Sequence, residues 1–82
     1  MQGQPIRVHV TPYRGRDPRK RARFVSDIEA AQRLETYLNG KRVEGEPVSL
    51  MYYEIARELG MDIVSVERLL FPVGGGDNGI TI

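Results

Sequence analysis

The 82 residues predict an α+β domain with three helices, a short antiparallel sheet ending in a C-terminal hairpin, and an additional N-terminal strand. Three observations point there. Apolar side chains recur at helical spacing in residues 26–38, 51–59 and 63–71, apolar and polar side chains alternate near the start, and glycine or proline stands wherever a helix has to stop. A chain of this length buries only about 60 to 65% of its unfolded surface, which supports one modest core and no second one.

Taken in order, Ile6-Arg7-Val8-His9-Val10 alternates in the manner of a half-buried strand. Thr11 to Arg23 then places Pro12, Gly15 and Pro18 among Arg14, Arg16, Arg19, Lys20, Arg21 and Arg23, a composition expected of an exposed connection. The first helix is expected to begin at Ser26-Asp27-Ile28-Glu29, a capping box in which serine and glutamate bond reciprocally to backbone amides, with Val25 stapled onto Ala30. Ile28, Ala31, Leu34, Tyr37 and Leu38 form its inner face, and Asn39-Gly40 marks its stop.

Lys41 to Pro47 is polar and reads as a loop, leading into a short strand over Val48 to Leu50. A second helix is expected from about Met51 to Leu59, with Tyr52, Ile55, Ala56 and Leu59 inward and Gly60 as terminator. Asp62 is placed to cap a third helix from Ile63 to about Phe71, beyond which Pro72 forbids continuation. Phe71 to Val73 and Ile80 to Ile82 then suggest two strands of a hairpin joined by Gly74-Gly75-Gly76-Asp77-Asn78-Gly79.

The charge is unevenly spread. Residues 1–23 carry seven basic side chains and one acid, whereas residues 24–82 carry five basic side chains and ten acids. The division expected is an N-terminal strand and basic arm over 1–23 and a folded unit over 24–82 within one domain, with an anionic partner for the arm. No apolar run is long enough to span a bilayer and Met-Gln-Gly-Gln-Pro lacks the apolar core of a secretory signal, so a soluble cytoplasmic protein without membrane partners is expected.

The segment Tyr53-Glu54-Ile55-Ala56-Arg57-Glu58-Leu59-Gly60-Met61-Asp62-Ile63-Val64-Ser65-Val66-Glu67-Arg68-Leu69-Leu70 resembles a helix-turn-helix. Ala56 lets two helices cross closely, Gly60 takes the positive-φ position, and Ile55, Leu59, Val66 and Leu69 fill the wedge between them. With the terminal hairpin as a wing, residues 26–82 resemble the winged helix-turn-helix family. The resemblance implies duplex DNA binding by a transcriptional regulator or accessory factor, with the third helix in the major groove. In this sequence the outward side chains of that helix are Val64, Ser65, Glu67 and Arg68, which leaves Ser65 and Arg68 as groove readers and the arm cations Arg14, Arg16, Arg19, Lys20, Arg21 and Arg23 as phosphate contacts. The alternative is a winged-helix module that meets another protein through Val64, Glu67 and Asp62. Either reading is compatible with a homodimer, since the strand edges at Ile6 to Val10 and Ile80 to Ile82 need cover.

Catalysis has no support. His9 has no second imidazole or any thiolate to complete a metal site, as the chain holds one histidine and no cysteine. The loop from Gly74 to Gly79 lacks the lysine, hydroxyl residue and following helix of a phosphate loop. Ser26, Ser49 and Ser65 have no base at readable spacing. The chain is therefore expected to be neither an enzyme nor dependent on a cofactor or metal.

Overall fold

The computed structural model describes residues 4–82, so the first three residues of the expected arm lie outside it. The elements are α1 (Pro18–Lys41), β1 (Ser49–Met51), α2 (Tyr52–Leu59), α3 (Ile63–Leu70), a 3-10 turn (Phe71–Val73) and β2 (Gly79–Thr81). Three helices and a two-stranded antiparallel sheet make a small α+β fold. Among the described residues no helix is long and apolar enough to cross a membrane.

The helix α1 corrects the expectation of a loop through Arg23. It is 24 residues long and begins at Pro18, a residue whose fixed φ suits the first helical position, behind Asp17 as N-cap. The Asp17 carboxylate accepts from the Arg19 amide at 2.9 Å. Arg19, Lys20, Arg21 and Arg23 are thus helical, and the expected boundary at 23/24 falls inside one helix rather than between segments. The predicted Ser26 cap is an exposed residue within it. Nor does Asn39-Gly40 end the helix: Gly40 keeps helical backbone, and Asn39 is used as a side-chain clamp instead.

That clamp explains a second correction. Residues 6–10 run extended but join no sheet; they lie along α1. The Asn39 carboxamide accepts from the Ile6 amide at 2.9 Å and donates to the Ile6 carbonyl at 3.1 Å, while Glu35 accepts from the Val8 amide at 2.8 Å. The alternation identified the inward positions, for Val8 is buried and Ile6 and Val10 pack partly against the core. Helix side chains replace the sheet partner.

The α2–turn–α3 unit follows the sequence closely. Gly60 sits at φ 63°, in the left-handed region that ends α2, and its neighbour's amide, Met61 N–H, closes onto the Ala56 carbonyl at 2.9 Å. Asp62 occupies the N-cap position of α3 without a side-chain capping bond. Ile55, Ala56, Val66, Leu69 and Leu70 are buried against Ala31, Leu34 and Leu38 of α1 in one core.

The C-terminal hairpin does not form. Phe71–Val73 is a 3-10 turn because Pro72 accepts helical φ but cannot continue the α-helical ladder, and β2 pairs instead with β1. The register is Ser49 with Thr81, Leu50 with Ile80 and Met51 with Gly79. Val48 and Ile82 extend it through reciprocal bonds of 2.9 and 2.8 Å. The close approach at Gly79 requires glycine, since a Cβ there would lie 2.2 Å from the Leu50 carbonyl oxygen.

Candidate nucleic-acid interface

Burial along α1 follows a regular stripe: Leu38, Leu34 and Ala31 are buried, and Asp27 and Phe24 are half-buried at the next positions of the same three-four spacing. Lys20 continues the stripe and is exposed, as are Pro18, Arg19, Arg21, Ala22 and Arg23. The first turns of α1 therefore project past the body. Their projection contributes to an elongated shape of 45 × 26 × 19 Å.

The projecting end is strongly cationic. Arg19, Lys20, Arg21 and Arg23, at about 100° per residue, cover roughly 200° of the helix circumference, so charge faces outward on more than one side. The first turn itself holds no acid, and the carboxylate that the positive pole of the helix dipole favours is supplied by the Asp17 N-cap. Arg19 and Arg23 are also like charges one turn apart. Such an arrangement opposes local stability and gains most from an external anion.

The preceding turn adds Arg14 and Arg16, both exposed. It is ordered by groups that sequence reasoning did not single out. The Tyr13 hydroxyl accepts from the Asp17 amide at 2.8 Å, and the Arg21 guanidinium donates to the Gly15 carbonyl at 2.9 Å. Gly15 lies so close beneath the Tyr13 ring that a Cβ would approach its hydroxyl to 2.3 Å. Among the described residues the side chains of Arg14, Arg16, Arg19, Lys20 and Arg23 make no ion pair or hydrogen bond, so their charge is free for a ligand. The signal that would have exposed this end is the dipeptide Asp17-Pro18, an N-cap followed by proline at the first helical position.

The two expected groove readers are placed differently. The Arg68 guanidinium donates two bonds to the Asp27 carboxylate, at 3.0 and 2.9 Å, joining α3 to α1. This fork raises the affinity of Arg68 for its proton, chiefly through the hydrogen bonds to Asp27. Ser65 is half-buried in a groove between α1 and the start of α3, lined by Asp27, Glu29 and Asp62 together with Arg33. Neither residue joins the cationic end. The outer face of α3 presents Val64, 63% exposed, and beyond it Phe71, 62% exposed.

Among the described residues no group of histidine, cysteine and acidic side chains could hold a metal ion. Tyr37 and Tyr52 have perturbed hydroxyls with structural causes. Burial, then the hydrogen bond to Glu58, pushes Tyr37 up to about 12, and burial raises Tyr52, whose hydroxyl donates to the Gly76 carbonyl at 2.8 Å. Neither sits beside a nucleophile. Comparison with family models, curated proteins and solved structures finds no match to this chain.

Proposed function

We propose that this protein is a small DNA-binding protein, a regulator or accessory factor, that holds duplex DNA through the projecting start of α1 and the turn before it. The observation that carries the reading is the cationic helix end: Arg19, Lys20, Arg21 and Arg23, with Arg14 and Arg16, are exposed and crowd the positive pole of a helix, and among the described residues the side chains of all but Arg21, which bonds to the Gly15 carbonyl, lack partners. A helix with cations on several sides suits a groove whose two walls are phosphate backbones better than a flat anionic surface. The α2–turn–α3 unit serves as the platform that anchors α1, and Arg68 belongs to that platform through Asp27.

If the six cations neutralise about four to six phosphates, log affinity falls with log salt at a slope of about −4 to −5. Titration of a fluorescent mixed-sequence duplex at about 50 and 200 mM salt tests this directly. Failure to bind at the lower salt, or a slope near zero, rejects the reading. Placing the cations on α1 rather than α3 makes sequence preference weak, because most of the contacts are to phosphate.

A further inference from the structure

The outer face of α3 forms one wall of a groove whose other side is the 3-10 turn and the glycine-rich loop, lined by Tyr52, Val64, Glu67, Phe71, Pro72 and Asp77. Its walls are held in place. The Tyr52 hydroxyl pins the loop at Gly76 at 2.8 Å, and Gly75 packs so tightly beneath that a Cβ would meet the Tyr52 oxygen at 2.0 Å. Arg68, at the groove's edge, is fixed by Asp27.

The chemistry of the groove specifies its occupant. Val64 and Phe71 are apolar anchors exposed at 63% and 62%, flanked by the carboxylates of Glu67 and Asp77, while the positive charge of Arg68 is already paired with Asp27. A cationic helix carrying apolar side chains complements such a surface. The start of α1 has that character: Val25 is 50% exposed and Phe24 half-buried, among Arg19, Lys20, Arg21 and Arg23. A chain cannot satisfy its own groove this way, since α1 is one continuous helix that passes the groove's edge at Asp27 and leaves Val64 and Phe71 uncovered.

We infer that the occupant is the α1 start of a second copy of this chain. Because Asp27, one turn along α1 from Arg23, pairs with Arg68 at the groove's edge, a twofold axis lets each copy place its helix end against the groove of the other, an isologous contact that closes on itself. The same arginines then serve the partner copy and DNA in turn, so duplex competes with self-association. The inference does not depend on DNA binding and stands if no duplex is bound.

Sedimentation velocity on the full chain over a range of concentrations, at about 50 and 500 mM salt, tests it. A dimer is expected at the lower salt, weakened at least about tenfold at the higher. Val64→Asp, on an exposed position that leaves the core intact, should weaken association by at least about tenfold. The decisive arm is a charge exchange. A Glu67→Lys/Asp77→Lys variant and an Arg19→Glu/Lys20→Glu/Arg21→Glu variant, each with wild-type circular dichroism, should be monomeric alone and form a mixed dimer when combined. A wild-type monomer at all concentrations, a dimer indifferent to these changes, or no recovery on mixing overturns the inference.

Discussion

Asp27 and Arg68 face each other across 41 residues of sequence as a two-point ion pair, 2.9 and 3.0 Å long, that ties the third helix to the middle of the first. The Arg68 side chain is 36% exposed, so solvent screens the pair and its net worth is about 0.5–1 kcal/mol. Asp27→Ala should lower Tm by about 2–8 °C at that cost for a domain of this size. It also removes a carboxylate near the cationic helix end and releases a guanidinium, so duplex affinity at low salt should rise about threefold to tenfold. Arg68→Ala should lower duplex affinity by about threefold or less, through the Asp27 carboxylate it leaves unpaired. Thermal melts and duplex titrations on the two variants check both statements.

Replacing Arg19, Lys20 and Arg23 by alanine should separate binding from stability. Loss of three phosphate contacts makes the salt slope shallower by about 2–3 and lowers affinity at least about tenfold near 50 mM salt. Stability should hold or rise by a few tenths of a kcal/mol, roughly, since alanine is the better helix former and the charges at the positive pole are relieved. A parallel fall in Tm and affinity would instead assign these side chains a structural role.

Tyr37 gives the fold an alkaline limit. Its hydroxyl donates to Glu58 on α2, and burial followed by that carboxylate pushes its pKa from 10.0 up to about 12. A proton held more tightly in the folded state stabilises fully below pH 10, and that contribution disappears as pH rises towards 12. Tyr52, raised by burial, acts with the same sign. Urea unfolding at pH 8 to 12 should therefore show stability falling across the upper two units, with a smaller fall in Tyr37→Phe. At neutral pH this variant should cost about 1–2 kcal/mol for the lost bond to a charged acceptor.

Gly75 should tolerate no side chain. A methyl group there would stand 2.0 Å from the Tyr52 hydroxyl and 2.8 Å from the Leu70 carbonyl oxygen, which is backbone and cannot yield cheaply. Gly75→Ala should destabilise by about 1–3 kcal/mol as the loop lifts and the Tyr52–Gly76 bond breaks. Gly76→Ala, with its nearest neighbour at 3.7 Å, provides the control and should cost far less.

Most of α2, the Gly60 turn and α3 could be read in advance, because Ile55, Ala56, Val66 and Leu69 repeat at helical spacing and all are buried. Local information suffices there. The start of α1 was obscured because proline and a run of arginines resemble a loop, whereas the Asp17 cap and Pro18 together make a helix start. Alternation at Ile6, Val8 and Val10 marks the inward side chains but not the partner, and that partner is supplied by Asn39 and Glu35 far along the chain. The candidate site was legible as a set of cations; its separation from Ser65 and Arg68 was not, since pairing of Asp27 with Arg68 depends on how two distant helices meet.

The first turns of α1 are exposed from Arg19 to Arg23, and local contacts hold them: the Asp17 cap, the Tyr13 hook and the Arg21 bond to the Gly15 carbonyl. Opening of this tip therefore requires little free energy compared with opening at Leu34 or Leu38, and backbone amides along the helix should exchange with deuterium in a gradient, fastest at the tip. Whatever polyanion grips the tip must also keep it wound, so coil-to-helix ordering and capture become a single linked equilibrium in which helix-stabilising changes at a distance from the ligand tighten its grip.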